Sequence, residues 1–161
     1  MTPDFLVIGG GIVGINIARE LKRQFSDSTV HLIGKESTST EHSSGRNSGI
    51  IHAGFYYTAD SLKAKFTSNG NRLLTDYCIE KHIPINQCGK LVVAQSAADL
   101  PSLDVLLARG KTNNVELQEV GEHEAREIEP RVRTFQRAIF SPTTSSVAPI
   151  AEENAKEVDA R

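Results

Sequence analysis

The sequence predicts an α/β fold built on one Rossmann-like βαβ unit, joined to part of an inserted mixed α+β region and leaving its parallel sheet incomplete. Three observations carry this. The apolar run Phe5-Leu6-Val7-Ile8 enters Gly9-Gly10-Gly11-Ile12-Val13-Gly14 directly. A helical stretch from Ile12 to about Phe25 leads to a second apolar run, Thr29-Val30-His31-Leu32-Ile33. Everything after Gly34 reads as short strands spaced for antiparallel pairing, with charged helices between them. A lone glycine fingerprint says little, but one set between a strand and a helix inside a βαβ unit has its required context. A doubly wound fold uses about six parallel strands buried on both faces, and this chain supplies one parallel pair.

Within the turn, Gly9 permits the tight bend, Gly11 lets a pyrophosphate approach the backbone, and Gly14 lets helix and strand pack closely. The free N–H groups of Ile12 and Val13 are expected to face the anion. The bland alternative is a glycine-rich turn that binds nothing. Lys35 to Ile50 is rich in Ser, Thr, Gly and charge, has no period, and reads as a functional loop. From Ala59, Leu62, Phe66, Leu73, Leu74 and Tyr77 fall near helical spacing, with Gly70 a weak point, until His82-Ile83-Pro84 stops the helix. A strand is expected around Leu91-Val92-Val93-Ala94. Ser96 and Asp99 resemble a capping box opening a helix to about Arg109, which Gly110 to Asn114 ends. Val115 to Val120 alternates as a half-buried strand should, Glu122 to Ile128 reads as a short charged helix, Arg137 to Phe140 as a strand, and Glu152 to Ala160 as the start of another helix.

The 161 residues suffice for one ordinary domain or pieces of two. With 39% hydrophobic and 24% charged residues and a formal net charge of -2, the chain offers nothing to a polyanion, so no nucleic-acid partner is expected. Cys78 and Cys88 lack metal-ligand spacing and read as reduced thiols. No basic-then-apolar leader and no apolar run near 18 residues is present, so the expectation is a cytoplasmic protein, peripheral to a membrane at most, without a transmembrane segment. No metal is expected: Glu122, Glu124, Glu127 and Glu129 read as a solvated face, as do Lys63, Lys65 and Arg72. His31, His42, His82 and His123 form no ligand set.

The loop carries a second constellation, Ser43-Ser44-Gly45-Arg46-Asn47-Ser48-Gly49-Ile50-Ile51-His52-Ala53-Gly54. Together with the glycine turn and Gly89-Lys90-Leu91-Val92-Val93-Ala94, this run resembles the FAD-dependent D-amino-acid-oxidase-like oxidoreductases, most closely the L-2-hydroxyglutarate dehydrogenases, also called oxidases. The likeness continues through Glu129-Pro130-Arg131-Val132 and Phe140-Ser141-Pro142-Thr143-Thr144-Ser145, and it covers only the N-terminal part of a much longer family member. It implies noncovalent FAD and oxidation of the secondary alcohol of a small 2-hydroxy acid, L-2-hydroxyglutarate to 2-oxoglutarate. A hydride leaves the alpha carbon for the flavin while a base removes the hydroxyl proton, and electrons pass on to oxygen or a membrane quinone chain.

Carried over residue by residue, the resemblance implies that Gly9, Gly11 and Gly14 with the Ile12 and Val13 amides hold the FAD pyrophosphate. Ser44, Arg46, Asn47 and Ser48 line the phosphate and flavin side; for Arg46 the alternative is a solvated loop charge. His52 sits at the flavin face as base, electrostatic aid or substrate-carboxylate contact. A loop histidine satisfied by backbone bonds, or a flavin attachment point, stays open. By the same resemblance, residues 1–84 are part of an FAD-binding domain, 85–147 part of a substrate domain, and 148–161 the start of a helix returning to the first. Two positions depart from the family. Gly34 stands where an acidic side chain usually grips the adenosine ribose, leaving Lys35 in its family position and Glu36 as a substitute. The missing carboxylate costs roughly 1.5 to 3 kcal/mol, or about tenfold to a hundredfold in FAD affinity. Ala148 stands where the family usually has aspartate. A truncated, weakly active or inactive form is expected; the competing readings are a non-catalytic nucleotide-binding remnant and an NAD(P)-binding Rossmann protein, with Lys35 serving NADP.

Overall fold

In the computed structural model, residues 2–39 and 41–149 are described. The predicted helix Glu152 to Ala160 lies outside them. The elements run β1 (Phe5–Ile8), α1 (Ile12–Gln24), β2 (Val30–Ile33), β3 (Ile50–Ile51), α2 (Leu62–Glu80), β4 (Ile85–Asn86), β5 (Lys90–Val93), α3 (Leu100–Thr112), β6 (Gln118–Gly121), α4 (Glu122–Ile128), β7 (Arg137–Ser141) and β8 (Ser145–Val147). They form two compact units. One gathers the described residues among 1–49, 78–84 and 147–161, the other residues 50–77 and 85–146.

In the first unit β1 and β2 pair in parallel with Phe5 opposite Val30 and Ile8 opposite Ile33, the βαβ arrangement expected. Alternation along each strand sends Val7 and Leu32 to the α1 side, where Ile15 and Ala18 are buried. The other sheet face is left open: Leu6 is 54% exposed, Ile8 78% and Ile33 48%. Strands of a parallel sheet are ordinarily covered on both faces, so a two-stranded sheet with one apolar face in solvent is an incomplete one.

The second unit centres on an antiparallel sheet of order β5-β7-β6. Val92 and Ile139 pack against Leu103, Leu106 and Leu107 on the α3 side. Leu91, Val93, Ala138 and Val120 pack around Ala125 of α4. The period-two pattern therefore serves two cores from one sheet. A second small sheet has the order β3-β8-β4, with Ile50 opposite Ser146 and Ile51 opposite Ser145.

Several predicted boundaries are corrected. Strands β3, β4 and β8 escape the sequence reading because two or three residues show no alternation, and Ile50, read as the end of the loop, begins β3. The helix read from Ala59 starts at Leu62, since Asp60 takes φ +61 and Ser61 Oγ accepts the Ala64 N–H at 3.1 Å as its cap. Ser96 and Asp99 do form a reciprocal cap, the Asp99 carboxylate accepting from Ser96 N–H at 3.0 Å, but it opens a 3-10 turn over Ala97–Asp99 that feeds α3. α3 then runs past Arg109 to Thr112. Gly110 is no breaker there: a Cβ on it would meet Leu117 Cδ1 at 2.4 Å, so glycine is what lets the last turn pack under Leu117. Asn114, at φ +53, ends the helix, and Val115 N–H bonds back to Gly110 C=O at 2.8 Å. Val115 is thereby spent on the helix end, Leu117 packs over Gly110, and the strand read from Val115 begins at Gln118.

Candidate functional site

The glycine turn follows from its backbone angles. Gly9 adopts φ +118, a region that L side chains rarely enter, and its N–H bonds Ile33 C=O at 2.8 Å, which ties the turn to the end of β2. A Cβ on Gly14 would lie 1.8 Å from Gly9 C=O, so only glycine lets α1 sit this close to the turn. α1 carries no acidic residue in its first turn, leaving the positive end of its dipole uncompensated.

Of the helix-start amides, Ile12 N–H donates to Ser44 Oγ at 3.0 Å, across 32 residues of chain. The first ladder bond is Ile15 N–H to Gly11 C=O, and among the described residues Val13 and Gly14 N–H have no acceptor. Gly11 makes room for the same hydroxyl, since a Cβ there would lie 2.9 Å from Ser44 Oγ. Beside these groups is a cavity of about 340 Å³ lined by Gly9, Gly10, Gly11, Ile15, Leu32 and the stretch from Gly34 to Ser39, with His42, Ser43 and Ser44. Nothing lies within 4 Å of a Cβ built on Gly9, so the cradle is open on that side. A glycine-walled cavity with hydroxyls beside a helix N-terminus suits a diphosphate.

The structure brings Gly9, Gly11, Lys35, Glu36 and Ser44 to this cavity, with Ile12 and Gly14 behind its wall. Glu36 Oε1 meets His42 Nε2 at 3.0 Å and Lys35 Nζ at 3.6 Å, so the carboxylate nearest the place of an acidic strand end already has two partners. Arg46, Asn47 and Ser48 do not line the cavity. Arg46 is exposed and pairs loosely with Glu41 at 3.7 Å. Asn47 works on the loop itself: its Nδ2 donates to Ser44 C=O at 2.7 Å and Ser43 C=O at 3.2 Å, and its Oδ1 accepts from Gly49 N–H at 2.8 Å. It thus shapes the turn that presents Ser44. Sequence reasoning passed over His42, Ser37, Thr38 and Ser43; the hydroxyl-rich composition of 35–50 was their signal, but composition does not say which members face a cavity.

His52 belongs to the second unit, on the segment that follows β3. Partial burial, and then the charge of Lys90, pull its imidazole below the ordinary range, so it is held neutral near pH 7. Phe55 anchors the segment at 1% exposure. Among the described residues, no cluster of three or more His, Cys, Asp or Glu side chains is arranged to hold a metal, and no helix is long and apolar enough to cross a membrane.

Comparison with known proteins adds the family. The profile described as FAD dependent oxidoreductase matches residues 4–152. The chain is 44% identical over 145 residues to a mitochondrial L-2-hydroxyglutarate dehydrogenase of Nematostella vectensis, covering 89% of this chain and 32% of that protein. It is 39% identical over 145 residues to the L-2-hydroxyglutarate dehydrogenase of Escherichia coli (strain K12), covering 90% and 34%. It therefore spans about a third of the length of the curated relatives it matches. Among solved structures, dithionite-reduced L-alpha-glycerophosphate oxidase from Mycoplasma pneumoniae with FAD bound superposes with a TM-score of 0.89 at 26% identity, over 99% of this chain and 42% of that one.

Proposed function

The chain belongs to the FAD dependent oxidoreductase family, and from that membership we propose that it is the cofactor-cradling part of an enzyme oxidising L-2-hydroxyglutarate to 2-oxoglutarate. The observation that carries this is the 44% identity to a curated L-2-hydroxyglutarate dehydrogenase. The cavity at the glycine turn fits the diphosphate of FAD. The Gly9–Gly11 turn would let its oxygens approach the backbone at the helix start, with the Val13 N–H as a donor on the reading of the glycine motif, Ser44 would hold that start through Ile12, and Glu36 would stand in for the ribose carboxylate. Arg46, Asn47 and Ser48 belong to the proposal as the flavin-side wall, Asn47 by shaping the loop. When bound, FAD supplies a two-electron acceptor for the substrate's alpha hydride. His52, held neutral, is suited to accept the hydroxyl proton, which a protonated imidazole is not. On this reading residues 1–84 serve the cofactor and 85–147 the substrate. The acceptor of the electrons is oxygen or a membrane quinone chain, and the location cytoplasmic.

With two parallel strands and one open sheet face, these 161 residues alone are expected to bind FAD weakly and turn over slowly if at all. Purified protein is tested for yellow colour, for FAD binding by fluorescence quenching, and for turnover of L-2-hydroxyglutarate with an artificial electron acceptor. FAD binding without robust turnover supports the proposal. A colourless protein that binds NADPH, or one that binds neither nucleotide, overturns it.

A further inference from the structure

The unit that holds His52 also holds a cation that no carboxylate pairs with among the described residues. Lys90, at the start of β5, is half-buried, and among the described residues no carboxylate pairs with it. Its Nζ lies 4.6 Å from the centre of the Tyr56 ring, an aromatic seat for an ammonium. Charges withdrawn from water are ordinarily paired, so a half-buried lysine facing only a ring has capacity left for an anion.

The seat is built with some care. Gly89 takes φ +71, and a Cβ there would meet the Phe140 ring at 2.3 Å; the chain passes tightly against that ring just before presenting Lys90. Lys90 is opposite Ser141 in the ladder with β7. Tyr56 stacks on buried Phe55 with ring centres 4.3 Å apart, leaving Tyr56 37% exposed. Two α3-side residues hold the segment from outside: Arg109 Nη1 donates to Tyr56 C=O at 2.9 Å, and Asn113 Nδ2 to Gly54 C=O at 3.3 Å and Tyr57 C=O at 3.2 Å. His52 heads this same pinned segment, and the charge of Lys90 is the second cause, after burial, that lowers its imidazole.

We propose that Lys90, seated on Tyr56 in the unit that carries His52, is the binding point for a carboxylate of the substrate. This rests on the reading above that the substrate is a 2-hydroxy acid. The ammonium takes the carboxylate while the neutral imidazole stays available for the adjacent hydroxyl, so one residue sets specificity for an acid and the other handles the proton. Lys90 is a specificity-determining residue, separate from the cofactor cradle.

The test titrates the chain, with 15N-labelled histidine, against 2-oxoglutarate and follows the imidazole signals of His52. Wild type should show a saturable shift. Lys90→Met should weaken the apparent affinity by about tenfold or more, and Lys90→Arg should restore most of it. Ligand-free Lys90→Met must keep the wild-type thermal midpoint and show the His52 titration moved upward, which certifies both folding and the Lys90–His52 proximity. Unchanged affinity in Lys90→Met, or no saturable shift in wild type, overturns the assignment. A chain that binds FAD yet ignores 2-oxoglutarate refutes this subsite alone; one that binds 2-oxoglutarate through Lys90 yet no FAD refutes the flavoenzyme reading and leaves the subsite standing.

Discussion

Gly34→Glu should tighten FAD binding. Gly34 follows the second strand directly and lines the cavity beside the glycine turn, where a carboxylate would face the adenosine ribose on the proposed reading. The backbone there is not left-handed, so a side chain brings no φ strain. A Cβ would find Gly10 N at 3.4 Å, Gly10 Cα at 3.5 Å and Glu36 C=O at 3.9 Å, ordinary contacts that require no shift. Two hydrogen bonds from ribose hydroxyls to a carboxylate contribute about 1.5 to 3 kcal/mol, a gain of about tenfold to a hundredfold in affinity. Glu36 adds little repulsion because it is exposed and already meets His42 and Lys35. The assay is a fluorescence titration of wild type, Gly34→Glu and Gly34→Ala with FAD. Alanine separates the effect of restricting the chain from that of the carboxylate. If the glutamate variant keeps its thermal midpoint yet binds FAD no tighter than the alanine variant, the ribose is not at Gly34 and the cavity is not the cofactor cradle.

Other substitutions probe the supports. Gly14→Ala drives a methyl into Gly9 C=O, so α1 must move off the turn; a loss of about 3 kcal/mol in urea denaturation is expected, and a variant within about 0.5 kcal/mol of wild type would show the packing is looser than described. Asn47→Ala removes three bonds of an exposed loop, costs about 1 kcal/mol, and weakens FAD binding by freeing the Ser44 turn; intact FAD affinity would separate Asn47 from the site. His52 releases its proton more readily folded than unfolded. As pH falls through about 6.5 the unfolded chain therefore binds more protons and the folded chain loses stability, a loss absent above that range. His52→Gln should flatten this dependence, read as the difference in urea midpoint between pH 7.5 and pH 5.5; an equal pH dependence in the variant would remove His52 as its source.

The parallel pair was legible because its signals are local. A four-residue apolar run, glycines needed for a φ of +118 and for close packing of helix on turn, and a second run after one helix can be read from neighbours in sequence. Glu122–Ile128 was legible to the residue for the same reason, its Glu124 carboxylate accepting the Gly121 N–H at 2.7 Å within one turn. Strands of two and three residues carry no period, and their pairing partners lie far along the chain, as Ile51 does from Ser145.

The amino-acid order alone determined that a glycine turn joins strand to helix near the start of the chain and what kind of fold surrounds it, because backbone conformation and hydrophobic period are set by adjacent residues. Only the tertiary structure decided which loop residues serve it. Ser44 reaches Ile12 across 32 residues while Arg46, two places on, turns to Glu41 and solvent, and Lys90 finds the ring of Tyr56. Those outcomes depend on the path of the chain through space, which no spacing in the sequence records.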